Sequence, residues 1–231
     1  MGKPRIAILT GAGISAESGI KTFRDSDGLW ENHRIEDVAS PEGWYRDKEL
    51  VLDFYNQRRR QLLQCQPNAA HYALAALEDK YDVTIVTQNV DDLHERGGST
   101  NIIHLHGELL KARSTADEHL VYDWQKDINI GDKCTKGSQL RPHIVWFGEA
   151  VPLIETAAKV VQQTDIFIVI GTSLLVYPAA GLINYTGYDT PKWLIDPNNV
   201  QAPRVPNLRV INKKATEGVT ELVAHLLNEK G

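Results

Sequence analysis

The chain is predicted to fold as an α/β protein, a doubly wound, parallel, Rossmann-like sheet that carries a smaller inserted domain. Three observations predict it. Apolar, β-branched runs recur at residues 6–10, 83–87, 102–105, 144–147, 166–170, 192–195 and 208–211, and several lack the polar alternation of a half-exposed strand, as strands buried on both faces do. Helical patterns at 69–78, 152–163 and 216–228 fall between them, the alternation expected of parallel crossovers. At 231 residues the chain is long enough for a main domain with an insertion.

The first strand runs directly into Gly11-Ala12-Gly13-Ile14-Ser15-Ala16, a Gly-rich turn followed by an expected helix start. The spacing G-x-G-x-x-A is the weaker form of the dinucleotide fingerprint. Gly11 and Gly13 are expected to let backbone amides approach phosphate oxygens, with the helix N-terminus adding partial positive charge. By itself such a segment is read equally well as a turn and nothing more. An ordinary dinucleotide fold reaches a second strand and an acidic ribose-binding residue about 20 positions on. Residues 21–36 are instead polar and aromatic without a strand pattern, which predicts a loop over a cofactor and argues against hydride transfer.

Further on, Asn68 is placed as N-cap of the helix at 69–78, and Gly97-Gly98 as the end of a short helix beginning near Asp91. Two stretches interrupt the alternation: 25–67, read as loop plus a helix over about 47–64, and 108–141, with weak strand signals and turns. The expected division is therefore 1–25, 68–107 and 142–231 as the Rossmann-like domain, and 26–67 with 108–141 as the small one. A ligand site is expected in the crevice between them, at the carboxyl ends of the strands.

Composition excludes several classes. With 42% apolar and 24% charged residues and no apolar run near the roughly 20 residues of a membrane span, the chain is expected to be free of membrane anchors. A formal net charge of −5 argues against general nucleic-acid affinity. Cys65 and Cys134 are the only cysteines, and no secretory leader is legible ahead of Thr10, so no disulfide framework and a cytoplasmic location are expected. Lys, Glu and Gln dominate the non-periodic faces, which predicts a monomer.

Polar clusters follow two of the strands at once: Gln88-Asn89-Val90-Asp91-Asp92 after 83–87, and His106-Gly107-Glu108 after 102–105. Amide, carboxylate and imidazole groups there are able to hydrogen-bond ribose hydroxyls and a carboxamide, and one is able to act as a base. The alternative is structural, with Asn89 and Asp91 capping the next helix and His106 filling a turn.

Taken together, Gly11-Ala12-Gly13-Ile14-Ser15 through Phe23-Arg24, Thr87-Gln88-Asn89-Val90-Asp91, His104-Leu105-His106-Gly107, Val145-Trp146-Phe147-Gly148-Glu149 and Gly171-Thr172-Ser173 resemble the sirtuin family in content and order. The resemblance implies an enzyme that consumes NAD as a co-substrate to remove acyl groups from protein lysine. Its products would be nicotinamide, free lysine and an O-acyl-ADP-ribose. It further implies cofactor contacts at Gly11, Ala12, Gly13, Ser15, Phe23 and Arg24, ribose binding by Gln88, and a nicotinamide pocket shaped by Asn89 and Asp91. Gly171, Thr172 and Ser173 would hold the adenosine half, and Val145, Phe147, Gly148 and Glu149 would pair with the substrate backbone. His106 is the implied base, with Asn89 beside it in the catalytic set. His104, its rival, precedes the strand end and is expected to point the other way.

Tyr55 and Arg58, three positions apart, share one helix face. A guanidinium fork beside a phenol suits a carboxylate, although spacing alone favours a solvated basic face together with Arg59 and Arg60. The resemblance reverses that preference, because Tyr-x-x-Arg at this place is similar to the sirtuins that remove succinyl, malonyl and glutaryl groups. Ala39 and Ser40 are then expected to leave room for a longer acyl chain.

The chain also departs from the family. Many sirtuins hold a structural zinc with two cysteine pairs, whereas only Cys134 lies between Glu108 and Arg141. One thiolate cannot make such a site, so no zinc is expected. The small module must then be held by packing, with Leu109, Leu110, Leu120, Val121, Tyr122 and Trp124 as the candidates. Asp196 stands where the family usually has Asn beside the adenosine ribose; it would repel a 2′-phosphate, favouring NAD over NADP. Ala215 is expected to close the adenine pocket. Two further outcomes use the same residues, namely protein mono-ADP-ribosylation or NAD hydrolysis, and an inactive NAD- or ADP-ribose-binding sensor.

Overall fold

Successive side chains of a strand point to opposite faces of its sheet, and the first strand divides its apolar residues accordingly. Ile6 and Ile8 join one buried cluster, which contains Leu74, Leu222 and Leu226. Ala7 and Leu9 join another, with Ala157, Val161, Leu182 and Ile183. Helices thus cover both faces of one sheet.

The computed structural model describes residues 2–21, 29–198 and 204–228. In chain order the elements are β1 (Arg5–Thr10), β2 (Leu29–Trp30), β3 (His33–Arg34), α1 (Ile35–Val38), α2 (Pro41–Arg46), α3 (Lys48–Leu62), α4 (Ala69–Ala76), β4 (Asp82–Thr87), α5 (Leu93–Arg96), β5 (Ile102–His104), β6 (Gly107–Ser114), β7 (Val121–Asp123), β8 (Leu140–Ile144), α6 (Ile154–Gln162), β9 (Ile166–Ile170), β10 (Lys192–Ile195), β11 (Leu208–Ile211) and α7 (Ala215–Asn228). The parallel sheet has the order β11-β10-β9-β1-β4-β5. The strand order reverses between β1 and β9, and ligands of such sheets bind outside the carboxyl ends at that point. Among the described residues no helix is long and apolar enough to cross a membrane.

Local chemistry places the elements. Asn68 Oδ1 accepts from the Ala70 amide at 3.0 Å while His71 Nδ1 accepts from the Asn68 amide at 3.2 Å, a reciprocal cap that starts α4. Asp47 starts α3 by accepting from the Leu50 amide at 2.9 Å. Between β2 and β3 a two-residue turn puts Glu31 and Asn32 at φ 50° and 64°, the left-handed pair that matches the twist of a tight hairpin.

Three expectations are corrected. No α-helix follows the Gly-rich turn: residues Ala12–Ile14 and Ala16–Ser18 form single 3₁₀ turns, ended by Gly19 at φ 91°. The run at 144–147 is not a parallel strand. Ile144 ends β8, which pairs antiparallel with β6, so that Gly107 faces Ile144 in a separate three-stranded sheet. Arg59 is not on a solvated face but is fully buried, whereas Arg60 is exposed and pairs with Asp127 at 3.1 Å.

Arg59 answers how the segment without zinc cysteines is held. Its Nε donates to Leu109 O at 3.0 Å and its Nη1 to Asn56 Oδ1 at 2.7 Å. Asn56 in turn donates to Ile128 O and accepts from the Ile128 amide, both at 2.9 Å. One turn of α3 thereby satisfies backbone groups on two parts of the small sheet's segment. Around it, Tyr55, Leu109, Ile128, Leu140, Ile144 and Trp146 share one apolar cluster, with Leu110, Leu120, Tyr122 and Trp124 packed against it. Val121 instead stands at the surface.

Asn56→Ala is expected to cost about 2–4 kcal/mol, because it strands buried backbone and guanidinium donors. Arg60→Ala should cost under about 0.5 kcal/mol. Urea unfolding of the two variants checks the contrast, and equal losses would remove Asn56 from this role.

Candidate active site

The turns that leave β1 and β9 touch backbone to backbone. The Gly11 amide donates to Ile170 O and the Gly13 amide to Gly171 O, both at 2.9 Å. A Cβ on Gly13 would lie 2.5 Å from Gly171 Cα, and one on Gly11 would lie 2.8 Å from Gly171 O. These glycines therefore serve the close approach of two turns. Their amides are engaged there rather than presented to phosphate as the sequence suggested.

Above this floor, the ends of β1 and β4 carry one hydrogen-bonded chain. Asn89 Nδ2 donates to Ser15 Oγ at 3.2 Å, and Ser15 Oγ donates to Asp91 Oδ2 at 3.0 Å. The Asn89 amide donates to Thr87 Oγ1 at 3.0 Å; Thr10 Oγ1 donates to the same oxygen at 2.8 Å and lies 3.0 Å from His94 Nε2. Thr10 and Thr87 are register partners at the strand ends, a pairing invisible in a single sequence. Asp91 also accepts from the Leu93 amide at 3.2 Å, so its carboxylate joins this chain and at the same time bonds the first amide of α5. Burial pushes its carboxyl up to about 6, opposed by the Leu93 amide and the Ser15 hydroxyl.

Gln88 bridges the two sides of the switch point by donating Nε2 to Thr172 Oγ1 at 3.2 Å. Its carbonyl lies 3.0 Å from His106 Nδ1. A carbonyl only accepts, so Nδ1 carries the proton and Nε2 holds the lone pair. Burial lowers the His106 pKa, with the Gln88 bond working in the opposite sense. Its rival is committed elsewhere: His104 Nε2 meets Glu95 Oε1 at 2.6 Å. Burial disfavours the His104 cation, but Glu95 outweighs it and the pKa rises. Glu95, His104 and Glu108 also bring potential metal-ligand atoms within 4.8 Å of one another. Glu108 is paired with Lys111 at 2.9 Å, so this group is already internally compensated.

The remaining predicted positions divide. Gly171, at φ 62°, and Thr172 form the floor, and Ser173 follows them. Asp196 and Ala215 are buried at the end of β10 and the start of α7, and Asp196 Oδ1 accepts from the Asn198 amide at 3.0 Å. Ala12 lies in the first 3₁₀ turn. Phe23 and Arg24 lie outside the described residues.

The segment from Val145 to Glu149 is a pinned turn. The Val145 amide donates to His106 O at 2.9 Å, and the Phe147 amide donates to Ala39 O at 3.0 Å. Glu149 accepts from the Trp146 amide at 2.8 Å, from Arg141 at 2.7 Å and from Arg113 at 3.1 Å. Burial favours the neutral acid, yet the Arg141 bond and the neighbouring charges hold the Glu149 pKa below the ordinary range. Its carboxylate thus anchors the turn. Phe147 is left 47% exposed, and Gly148, at φ 89°, is open to solvent.

Tyr55 and Arg58 line one cavity of about 60 Å³ together with Trp30, Glu31, Val90 and Asp91. Trp146 Nε1 donates to Tyr55 Oη at 3.1 Å; burial raises the phenol pKa and that bond opposes the rise. The Arg58 guanidinium stacks 3.3 Å from the Phe54 ring centroid. Its Nε is buried without a hydrogen-bond partner. Burial draws its pKa down to about 10, opposed by Glu31 and Tyr55, and it stays cationic at neutral pH. Ala39 and Ser40 are not among the lining residues. Ser40 instead caps α2 by accepting from the Gly43 amide at 3.0 Å.

Fold and site together define a Rossmann-like α/β protein with its polar constellation at the topological switch point. The Sir2 family profile matches residues 11–178. A Helicobacter pylori protein named NAD-dependent protein deacylase is 57% identical over 222 residues, covering 96% of this chain and 97% of that one. A Sir2 homologue–NAD complex superposes with a TM-score of 0.88 at 40% identity, over 97% of this chain and 90% of that one. A Sir2 protein bound to an acetylated peptide gives 0.80 at 28%, over 98% and 95%. The chain belongs to the Sir2 family.

Between pH 4 and 7, ionisation of Asp91 is expected to reduce stability. The folded state holds the proton up to about 6, above the ordinary value of 3.8, so the unfolded state releases it first and gains as pH rises. The effect is on the order of 3 kcal/mol. Urea unfolding across that range should show it in the native protein and not in Asp91→Asn; parallel curves would contradict the burial argument.

Proposed function

We propose that this protein removes acyl groups from lysine side chains of proteins or peptides with NAD as co-substrate, and that succinyl and malonyl groups are substrates as well as acetyl. The products are nicotinamide, free lysine and O-acyl-ADP-ribose. The observation that carries the reading is the arrangement at the switch point, where His106 keeps a lone pair on Nε2 beside the Asn89–Ser15–Asp91 chain. That donor and acceptor set suits a carboxamide and ribose hydroxyls. The relatives named NAD-dependent protein deacylase support it.

NAD, when bound, supplies a ribose carbon made electrophilic by its nicotinamide leaving group. On this reading Ala12, Gly13 and Ser15, together with Phe23 and Arg24, contact the cofactor. Gln88 orients ribose, Asn89 and Asp91 hold the nicotinamide end, and Gly171 to Ser173 with Asp196 and Ala215 take the adenosine half. His106 Nε2 takes the proton from a ribose hydroxyl. The Gln88 carbonyl fixes the tautomer that makes this possible, and burial keeps the imidazole neutral at working pH. Val145, Phe147 and Gly148 receive the substrate backbone on a turn that Glu149 holds in place.

The acidic-acyl part rests on Arg58. Its Nη1 donates to Phe54 O, but its Nε is a buried donor without a hydrogen-bond partner at the cavity it lines with Tyr55, which is costly unless a ligand satisfies it. A terminal carboxylate two or three carbons from the acyl carbonyl is such a ligand. The protein is taken to act as a cytoplasmic monomer, without a nucleic-acid or membrane partner.

Mass spectrometry of peptide and nucleotide after incubation with NAD and matched acetyl-, succinyl- and unmodified lysine peptides tests the reaction. Loss of succinyl with appearance of O-succinyl-ADP-ribose is expected, whereas a peptide heavier by ADP-ribose would indicate transfer to protein instead. Arg58→Met should reduce the preference for succinyl over acetyl about tenfold to a hundredfold, and equal losses on both would make Arg58 structural. His106→Ala should abolish turnover while NAD binding persists. In the native enzyme the acid limb of kcat/KM should have an apparent pKa below the ordinary imidazole value of 6.5.

A further inference from the structure

The acyl cavity contains a carboxylate of its own. Glu31 lines it together with Lys21, Arg58 and Asp91, and its side chain is only 20% exposed although it sits at the tip of a hairpin. The left-handed turn at Glu31 and Asn32 fixes where that side chain is presented. Trp30, immediately before it, stands edge-on to Phe54 at 4.9 Å and Tyr55 at 6.3 Å, which ties the hairpin to α3. Glu31 Oε2 pairs with Lys21 Nζ at 2.9 Å. Among the neighbouring groups that favour the Arg58 cation, Glu31 comes first.

We propose that Glu31 is a resident counter-carboxylate of this cavity, facing Arg58 and holding Lys21, and that it sets how strongly an acidic acyl group is preferred over a neutral one. The inference rests on the acidic-acyl reading of Tyr55 and Arg58. An arriving acyl carboxylate is drawn to the two cations and meets Glu31 as a like charge. Lys21 is already paired, and Arg58 is partly compensated. Removing the Glu31 charge frees both cations for the substrate, and a neutral acyl group gains nothing from that change. Removing Lys21 has the reverse effect, since it leaves Glu31 uncompensated opposite the substrate. Asp91, the other carboxyl lining the cavity, remains in both variants. Opposite shifts from the two members of one ion pair are the signature of an electrostatic role, because loss of a merely structural contact moves both variants the same way.

The test compares kcat/KM on matched succinyl- and butyryl-lysine peptides, at saturating NAD, for the native protein, Glu31→Gln, Lys21→Met and Arg58→Met. Glu31→Gln should raise the succinyl-to-butyryl ratio about threefold to tenfold, chiefly through KM of the succinyl peptide, and Lys21→Met should lower it about threefold. Ratios within twofold of native for both variants, or shifts in the same direction, overturn the proposal. Arg58→Met separates the two layers of argument. If it collapses the native ratio while Glu31→Gln leaves the ratio unmoved, Glu31 alone is excluded. If it leaves the native ratio intact, the acidic-acyl reading falls and the Glu31 proposal falls with it. Thermal melting of each variant checks folding, and should Glu31→Gln fail to fold, a ratio unmoved in Lys21→Met overturns the proposal.

Discussion

Three glycines meeting between two strands set the floor on which the active end of the molecule is built. Gly11 and Gly13 leave β1 while Gly171 leaves β9, and their backbones approach so closely that a side chain on Gly13 would collide with Gly171 Cα. The approach lets carbonyls of the β9 end satisfy the Gly11 and Gly13 amides, so the bottom of the crevice needs no polar side chains to complete its hydrogen bonding. Its second consequence concerns Ser15, which is held at the junction of the two tight 3₁₀ turns and lands between Asn89 and Asp91. A longer or looser connection would break the chain that unites β1 and β4.

Around that floor the protein tolerates costly buried groups. Asp91 is buried with a carboxyl that ionises only near 6, and Arg58 keeps a buried donor without a partner. Such groups persist where surrounding structure over-determines them. Apolar clusters on both faces of the sheet supply that determination on one side. On the other, Asn56 and Arg59 fasten the small antiparallel sheet's segment to α3. A hydrogen-bonded staple and an apolar cluster thus hold a segment whose sequence lacks the thiolates for a zinc site.

The parallel strands were legible because Ile, Val and Leu on both faces leave little ambiguity, and Asn68 was legible because a cap acts within one turn. The polar clusters after β4 and β5 were legible for the same local reason, since a strand's end fixes where the next residues emerge. What failed depends on distant partners. The 3₁₀ turns after Gly11 reflect β9, 160 positions away, and the run at 144–147 leaves the strand because Trp146 turns toward Tyr55 and Glu149. Arg59 reads as a surface charge in any local window, because its acceptor is a carbonyl on β6. Glu31 carries no sequence signal, since its place in the cavity comes from a hairpin folding against α3. Phe23 and Arg24 fall outside the described residues.

The cavity lined by Tyr55 and Arg58 is joined mechanically to His106 through the pinned turn, beside the Arg59–Leu109 bond that also ties α3 to β6. His106 O receives the Val145 amide, Trp146 follows directly, and its indole donates to Tyr55 Oη, so α3 and the imidazole share a short bonded path through the pinned turn. Glu149 clamps that path by binding the Trp146 amide and two arginines. Arg58 sits on the same helix yet stacks on Phe54 and lines the cavity together with Glu31, off the path. Changes at Tyr55 or Trp146 are therefore expected to disturb both the cavity and the placement of His106, whereas changes at Arg58 or Glu31 act chiefly through the charge of the cavity. On the proposed reading, acyl preference is free to vary at these charged positions without reworking the chemistry, because rigidity and selectivity are carried by different residues of one short stretch of chain.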